Sequence, residues 1–240
     1  KNILSIFIFS IISCLLILLR GEFILIFILS LAYFFFILKI SIKKIILIFL
    51  VMLISISPYL IRNITIFNTV TITKTFGYNL WKGNNPNSKV EGSEIIEKNL
   101  KDKINSLNKN KYYQINLDKI FLDEAIHNIL QDPRRYATLY VKKILSFLFI
   151  DTNSSQSNYY NPIHYLPVLL IGATSIIGIL LTNKKSYKLN YLILIFFVYV
   201  FLFSCFFILP RYKLTILPLQ LIFTNVLIEY INNKFFRKNE

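Results

Sequence analysis

The chain has 240 residues, of which 55% are hydrophobic and 16% are charged, and its 27 basic and 12 acidic residues give a formal net charge of +15. A soluble domain carries charge at roughly a quarter of its positions, so this composition excludes a soluble enzyme domain. The many Phe, Tyr, Ile and Leu residues also exclude a disordered chain, which combines low hydrophobicity with high charge. Cys14 and Cys205 lie in apolar runs, so they predict neither a disulfide framework nor a zinc site.

Six charge-free runs, each dominated by Ile, Leu, Phe and Val, predict membrane-spanning helices. At ~1.5 Å per residue, a run of about 18 residues covers about 27 Å, close to the ~30 Å hydrocarbon core of a bilayer. The runs are residues 2–19, 23–38, 45–61, 165–183, 189–210 and 214–228. A globular protein of this size has too little polar surface to cover six buried helices. We therefore predict an all-α membrane protein, a polytopic transmembrane helix bundle of about six spans.

Three basic clusters orient the bundle, because short cytoplasmic loops are enriched in Lys and Arg. The clusters are Lys39, Lys43 and Lys44; Lys184, Lys185 and Lys188; and Lys234, Arg237 and Lys238. Placing all three inside puts both chain ends in the cytoplasm and leaves one long loop outside. The predicted division is residues 1–61 as three spans, 62–164 as an extracytoplasmic loop region, 165–233 as three further spans and 234–240 as a cytoplasmic tail.

The long loop predicts a small helical layer in water. Eight of the twelve acidic residues lie in it, between residues 62 and 140. Ser93 is a candidate N-cap for one helix, and an apolar stripe over 122–130 predicts a second. Asp132-Pro133 is typical of an N-cap followed by proline at the first helical position. The helix that it opens is amphipathic, with Lys142 and Lys143 expected off its apolar face, and we expect it to lie along the outer membrane interface.

Residues 77–86 read Gly-Tyr-Asn-Leu-Trp-Lys-Gly-Asn-Asn-Pro and contain the only Trp of the chain, Trp81. A sugar ring binds to an apolar plane beside groups that both donate and accept hydrogen bonds, which an indole and several Asn amides supply. An ordinary turn is the alternative, since Gly and Asn favour turns and Trp anchors chains at the bilayer surface. Composition alone leaves both interpretations open.

Three motifs together resemble bacterial glycosyltransferase family 39, membrane enzymes related to protein mannosyltransferases and lipid A aminoarabinose transferases. The motifs are Arg62-Asn63 after a Pro-aromatic pair, residues 77–86, and Leu-Pro-Arg-Tyr-x-Leu-x-x-x-Pro at residues 209–218. The similarity extends from about Leu19 to Ile231. It implies a transferase that takes a sugar from a polyprenyl-phosphate carrier to a lipid, glycan or protein acceptor on the outer face of a bacterial plasma (inner) membrane.

The resemblance also implies the site residues. Those expected to bind substrate are Arg62, Asn63, Tyr78, Trp81, Asn84, Asn85, Arg211, Tyr212 and Lys213. Arg62 and Arg211 lie at the predicted outer membrane boundary, where forked guanidinium donors suit a lipid phosphate. The family's catalytic carboxylate has no counterpart before Arg20, so no catalytic residue is assigned and the base is expected upstream of residue 1. The chain then resembles a C-terminal part that is inactive alone.

We expect membrane lipids, the sugar donor and the acceptor as partners, and no cofactor, no metal and no nucleic acid. Small residues in the fourth predicted span offer surfaces for close helix packing, namely Gly172, Ala173, Ser175 and Gly178.

The alternatives to a glycosyltransferase are a protein of the O-antigen polymerase or ligase type, and a non-catalytic polytopic membrane subunit or transporter. A transporter usually has polar or broken helical segments at mid-membrane, whereas the centres of these predicted spans show neither feature.

Overall fold

The computed structural model describes residues 3–151, 154, 161–182 and 186–235, and this part of the chain is helical with no strand. Its helices are α1 (Ile3–Leu19), α2 (Phe23–Phe36), α3 (Ile42–Phe67), α4 (Phe76–Gly83), α5 (Lys98–Asn105), α6 (Tyr113–Gln131), α7 (Pro133–Leu148), α8 (Pro162–Leu181), α9 (Tyr187–Ser204) and α10 (Lys213–Phe235). A 3-10 turn, Pro210–Tyr212, precedes α10. Lys184, Lys185, Arg237 and Lys238, which entered the orientation argument, lie outside the described residues.

Three helical segments are long and apolar enough to cross a membrane, namely Ile42–Phe67, Tyr187–Ser204 and Pro210–Phe235. The apolar helices Ile3–Leu19, Phe23–Phe36 and Tyr165–Leu181 are shorter. Large apolar side chains also cover outward surfaces of these helices, as at Ile54, which is 69% exposed, and Leu180, which is 79% exposed. Apolar helices with apolar exteriors are typical of a membrane protein. The number of spans, six in our prediction, stays a prediction.

The chain forms two compact units, residues 1–77 with 98–120 and residues 78–97 with 121–240. The predicted loop region 62–164 contributes to both units. In the first unit, α1 packs on α2 and α3 around a core of Ile6, Cys14, Ile17, Phe27, Ile48, Met52 and Ile56. The Ser10 hydroxyl, fully buried, donates to the Ile48 carbonyl at 3.0 Å and joins α1 to α3.

Close contact between α8 and α10 dominates the second unit. Small residues permit it, as predicted: a Cβ added at Gly178 would lie 1.8 Å from the Phe223 carbonyl oxygen. The Thr174 and Thr224 hydroxyls bond each other at 3.0 Å across the same pair. The helix α7 packs on α9, where Tyr140 donates to the Phe201 carbonyl at 3.0 Å.

The helices of the predicted loop layer are confirmed in part. Asp132 caps α7, its carboxylate accepting from the Arg135 amide at 3.1 Å, and Pro133 begins the helix. The prediction of a helix capped by Ser93 was wrong, because α5 begins only at Lys98. Glu94 instead forms an ion pair with Lys82, and the Ser93 hydroxyl accepts from the Ile95 amide in a local turn.

Candidate functional site

Residues 77–86 form the short helix α4 and the turn that follows it, and their aromatic side chains point into the protein. Trp81 is 2% exposed. Its ring lies 4.8 Å from Phe121 and 6.0 Å from Tyr78, centroid to centroid, and Tyr78 meets Phe121 edge-on at 5.2 Å. The indole therefore has no open face for a sugar ring in this structure. Its surroundings are those of a core aromatic residue.

The two Asn amides that follow α4 bond other parts of the protein. Asn84 donates to the Leu80 and Cys205 carbonyls, both at 2.8 Å. Asn85 donates to the Ser93 carbonyl at 2.7 Å, and its side-chain oxygen accepts from the Asn87 amide at 2.9 Å. Asn84 is 5% exposed and Asn85 is 1% exposed. These amides fix the turn, so the structure does not present them to a ligand as the sequence suggested.

A buried lysine holds this turn against α7. Lys143 is 0% exposed, and its Nζ donates to the Gly83 carbonyl at 2.8 Å and to Asn84 Oδ1 at 3.1 Å. We expected Lys143 on the same side of α7 as Lys142, which is exposed, and that expectation was wrong. The reason is the Gly83 carbonyl at the C-terminal end of α4, which finds no donor within its own helix and needs one from elsewhere in the protein. Burial lowers the pKa of Lys143 to about 7.

Tyr78, predicted to contact substrate, is half-buried beside an ion pair. Burial raises the pKa of its phenol, and the nearby Glu94 carboxylate adds to the rise. Hydrogen bonding to Lys82 lowers the pKa of Glu94. The Lys82 ammonium also lies 4.7 Å from the centroid of the Phe207 ring.

Gly83 is required at the end of α4, because a Cβ there would lie 2.5 Å from the Phe206 backbone.

Arg62 and Asn63 lie in the last turns of α3, in the first unit. Helix α3 continues past the predicted boundary at residue 61 to Phe67 and ends at Asn68, which has a left-handed backbone with φ of 51°. Asn63 is 1% exposed and donates to the Thr71 carbonyl at 2.7 Å, so it anchors the chain that folds back along α3. Arg62 is exposed and donates to Asn63 Oδ1 at 3.3 Å.

The corner between α9 and α10 holds the last predicted residues, in the second unit. The Arg211 guanidinium is exposed and lies 5.6 Å from the Tyr212 ring centroid. Tyr212 packs on Phe207 at 5.9 Å. Lys213 is partly buried and donates to the Phe149 carbonyl, so it ties the corner to the end of α7. Of these three side chains, Arg211 is the one exposed to an incoming ligand.

Sequence reasoning missed two groups in the second unit. One is Lys143, whose partners lie some sixty positions away in the chain and leave no local pattern. The other is a set of basic side chains around a cleft beside α7: Lys89, Arg134, Arg135 and Lys142. The spacing of Arg134 and Lys142, two turns apart on α7, was a signal that could have shown them.

Trp81 gives a direct test of its burial, because it is the only Trp and all indole emission comes from it. We expect blue-shifted emission and weak quenching by acrylamide in the native protein, since the indole is enclosed by Tyr78 and Phe121. The detergent-solubilised protein should show strong quenching only after denaturation. Native quenching as strong as denatured quenching, or quenching altered by added sugars, would contradict the buried placement.

The comparisons with known proteins add no relatives. No family model matches the chain, and neither a curated protein nor a solved structure matches it. In the described part of the chain, no group of three or more His, Cys, Asp or Glu side chains is placed to hold a metal ion. The resemblance to a glycosyltransferase family therefore stays a prediction from the three sequence motifs.

Proposed function

We propose that the chain is part of a membrane glycosyltransferase that receives a sugar from a polyprenyl-phosphate-linked donor. The observation that carries the proposal is the position of Arg211. It lies exposed at the corner between α9 and the segment Pro210–Phe235, which are both long and apolar enough to span a bilayer. An arginine at the end of two such helices lies at the depth of lipid phosphates. The three sequence motifs support the same assignment.

The proposal assigns Arg211 a role in the chemistry. When the sugar leaves its carrier, negative charge grows on the carrier phosphate, and a guanidinium that donates two parallel hydrogen bonds stabilises it. Proton removal from the acceptor hydroxyl needs a carboxylate base, and we assign that role to none of the described residues. A bacterial plasma membrane, six spans and a long outer loop belong to the same proposal.

The test is binding of a labelled polyprenyl-phosphate sugar by the protein in lipid nanodiscs. Binding should be competed by polyprenyl phosphate and not by polyprenol, which lacks the charge. Arg211→Ala should weaken binding roughly 10- to 100-fold, because hydrogen bonds to charged groups contribute about 1.5–3 kcal/mol. Transfer of the label to membrane acceptors by cells that express the gene would complete the test.

The matched control is Lys188→Ala, which removes one positive charge from an exposed position at the other end of α9. It should leave donor binding unchanged. The proposal fails if polyprenol competes as well as its phosphate, or if the two variants lose binding equally.

A non-catalytic membrane subunit is the second candidate, and the interior of the second unit favours it. Trp81, Asn84 and Asn85 are all 5% exposed or less. Side chains that make internal contacts are expected of a structural element and not of a sugar site. Absence of phosphate-dependent donor binding in the nanodisc experiment would select this candidate.

A further inference from the structure

A cleft lies between α7 and the loop of residues 88–90, within the second unit. Its volume is about 900 Å³. The charged side chains that line it are Lys89, Arg134, Arg135, Lys142, Asp132 and Asp151. A space of this size suits a small ligand or the head of a lipid, since ligand pockets usually measure about 300–1,000 Å³.

Positive charge predominates in the cleft. Four basic and two acidic side chains line it, a net charge of +2. Both carboxylates have other contacts: Asp132 caps α7, and Asp151, 8% exposed, lies within electrostatic reach of Lys213. The cleft therefore offers its positive charge to an anion.

Three of the cations are available to a ligand. Lys89, Arg134 and Lys142 are exposed, and no carboxylate of the described residues lies within ion-pair distance of them. Arg135 differs, because it donates to the Pro86 carbonyl at 2.6 Å and to the Tyr136 hydroxyl at 2.9 Å. The bond to Pro86, with a longer one of 3.5 Å to the Ser88 carbonyl, ties α7 to the loop and holds the two walls of the cleft together.

The cleft also has an apolar side and a place near the membrane boundary. Val90, Leu139, Leu145 and Ile150 contribute apolar surface. The C-terminal end of α7 adjoins two candidate spans, because Phe147 packs on Tyr199 of α9 at 6.0 Å and Gln220 of α10 donates to the Leu148 carbonyl at 3.3 Å. A ligand with a charged head and an apolar part would match these surfaces.

We propose that this cleft binds a phosphomonoester or pyrophosphate group. Three cations from two separate elements can surround a phosphoryl group, which carries several charged oxygens. A carboxylate ligand would need only one of these cations as its partner. The proposal does not depend on the sugar transferase assignment, which concerns Arg211. The phosphoryl group comes either from a membrane lipid head or from a soluble phosphate.

Two binding experiments on the protein in phosphatidylcholine nanodiscs distinguish the sources. Inorganic pyrophosphate is titrated by calorimetry, and phosphatidic acid is added to the bilayer and its retention measured by native mass spectrometry against phosphatidylcholine. We expect saturable binding in at least one experiment. Pyrophosphate binding alone assigns a soluble ligand, and phosphatidic acid retention alone assigns a lipid head.

The variants then locate the site. Arg134→Gln combined with Lys142→Gln should weaken the observed binding at least about tenfold, since two charge-assisted contacts are lost. The control, Lys98→Gln combined with Lys101→Gln, removes the same charge from exposed positions on α5. All four are surface positions on helices, so folding should be preserved. Absence of saturable binding in both experiments, or an equal loss in both double variants, would overturn the proposal.

Discussion

Replacing Gly178 by alanine should force α8 and α10 apart and lower the melting temperature by about 5–10 °C. The new Cβ would lie 1.8 Å from the Phe223 carbonyl oxygen and 2.7 Å from its carbon. Both atoms are backbone, so no side chain can rotate away. Overpacking of this kind costs about 1–3 kcal/mol or more, and each kcal/mol shifts the melting temperature of a chain of this size by about 2–4 °C.

The control for Gly178 is Gly21→Ala, the same substitution at a position where the new Cβ would meet only side-chain atoms. There the new Cβ would meet Thr73 Oγ1 at 3.4 Å, an ordinary contact, and we expect the melting temperature to stay within about 2 °C of wild type. Melting is followed by Trp81 fluorescence in detergent at one fixed scan rate, because unfolding of such proteins is often irreversible. Equal melting of the two variants would show that α8 and α10 do not pack through Gly178.

Local signals in the sequence predicted the helices well. The charge-free runs 2–19 and 23–38 correspond closely to α1 and α2, since an apolar run needs only its own residues to form a helix. Asp132-Pro133 correctly placed the start of α7, because a cap and a first-turn proline act within four residues. The start of α5 was misplaced, because Glu94 pairs with Lys82 on a different element and residues 94–97 are not helical.

The candidate site was harder to predict, because its residue types suit two roles. Trp and Asn side chains that could bind a sugar can also pack a core and satisfy buried carbonyls, and no local pattern separates the two. For residues 77–86, partners distant in the sequence determine which of the two roles each side chain takes. They are Phe121 for Trp81, and the Cys205 carbonyl and Lys143 for Asn84. Arg211 was easier, since a charge at the end of an apolar run is expected at the surface.

Replacing Lys143 by methionine should lower the melting temperature by several degrees at neutral or higher pH. Methionine fills much of the same space but cannot donate a hydrogen bond. The Gly83 carbonyl and Asn84 Oδ1, each bonded by Lys143 in the native protein, would then lack that donor in the interior. A buried acceptor without a donor costs about 1–3 kcal/mol. The matched control is Lys142→Met, an exposed neighbour on the same helix, which should melt close to wild type.

The pH dependence of the same pair of proteins tests whether Lys143 is buried as a near-neutral amine. Its pKa is about 7 in the folded protein against an ordinary value of 10.5, so between these pH values the unfolded chain holds a proton that the native chain has released. The free energy of unfolding then rises with pH, by at most about 1.4 kcal/mol per pH unit from this group. A neutral amine still has two hydrogens, which match the two acceptors.

The stability advantage of wild type over Lys143→Met should therefore grow as the pH rises from about 7 to about 9, and stay constant below about pH 6, where both states are protonated. Titrating groups that do not interact with Lys143 contribute equally to the two proteins and cancel in the difference, whereas Cys205 interacts electrostatically with Lys143. Melting curves at four or five pH values measure it. A difference that is constant across the range would mean that Lys143 keeps its ordinary pKa and is reached by water.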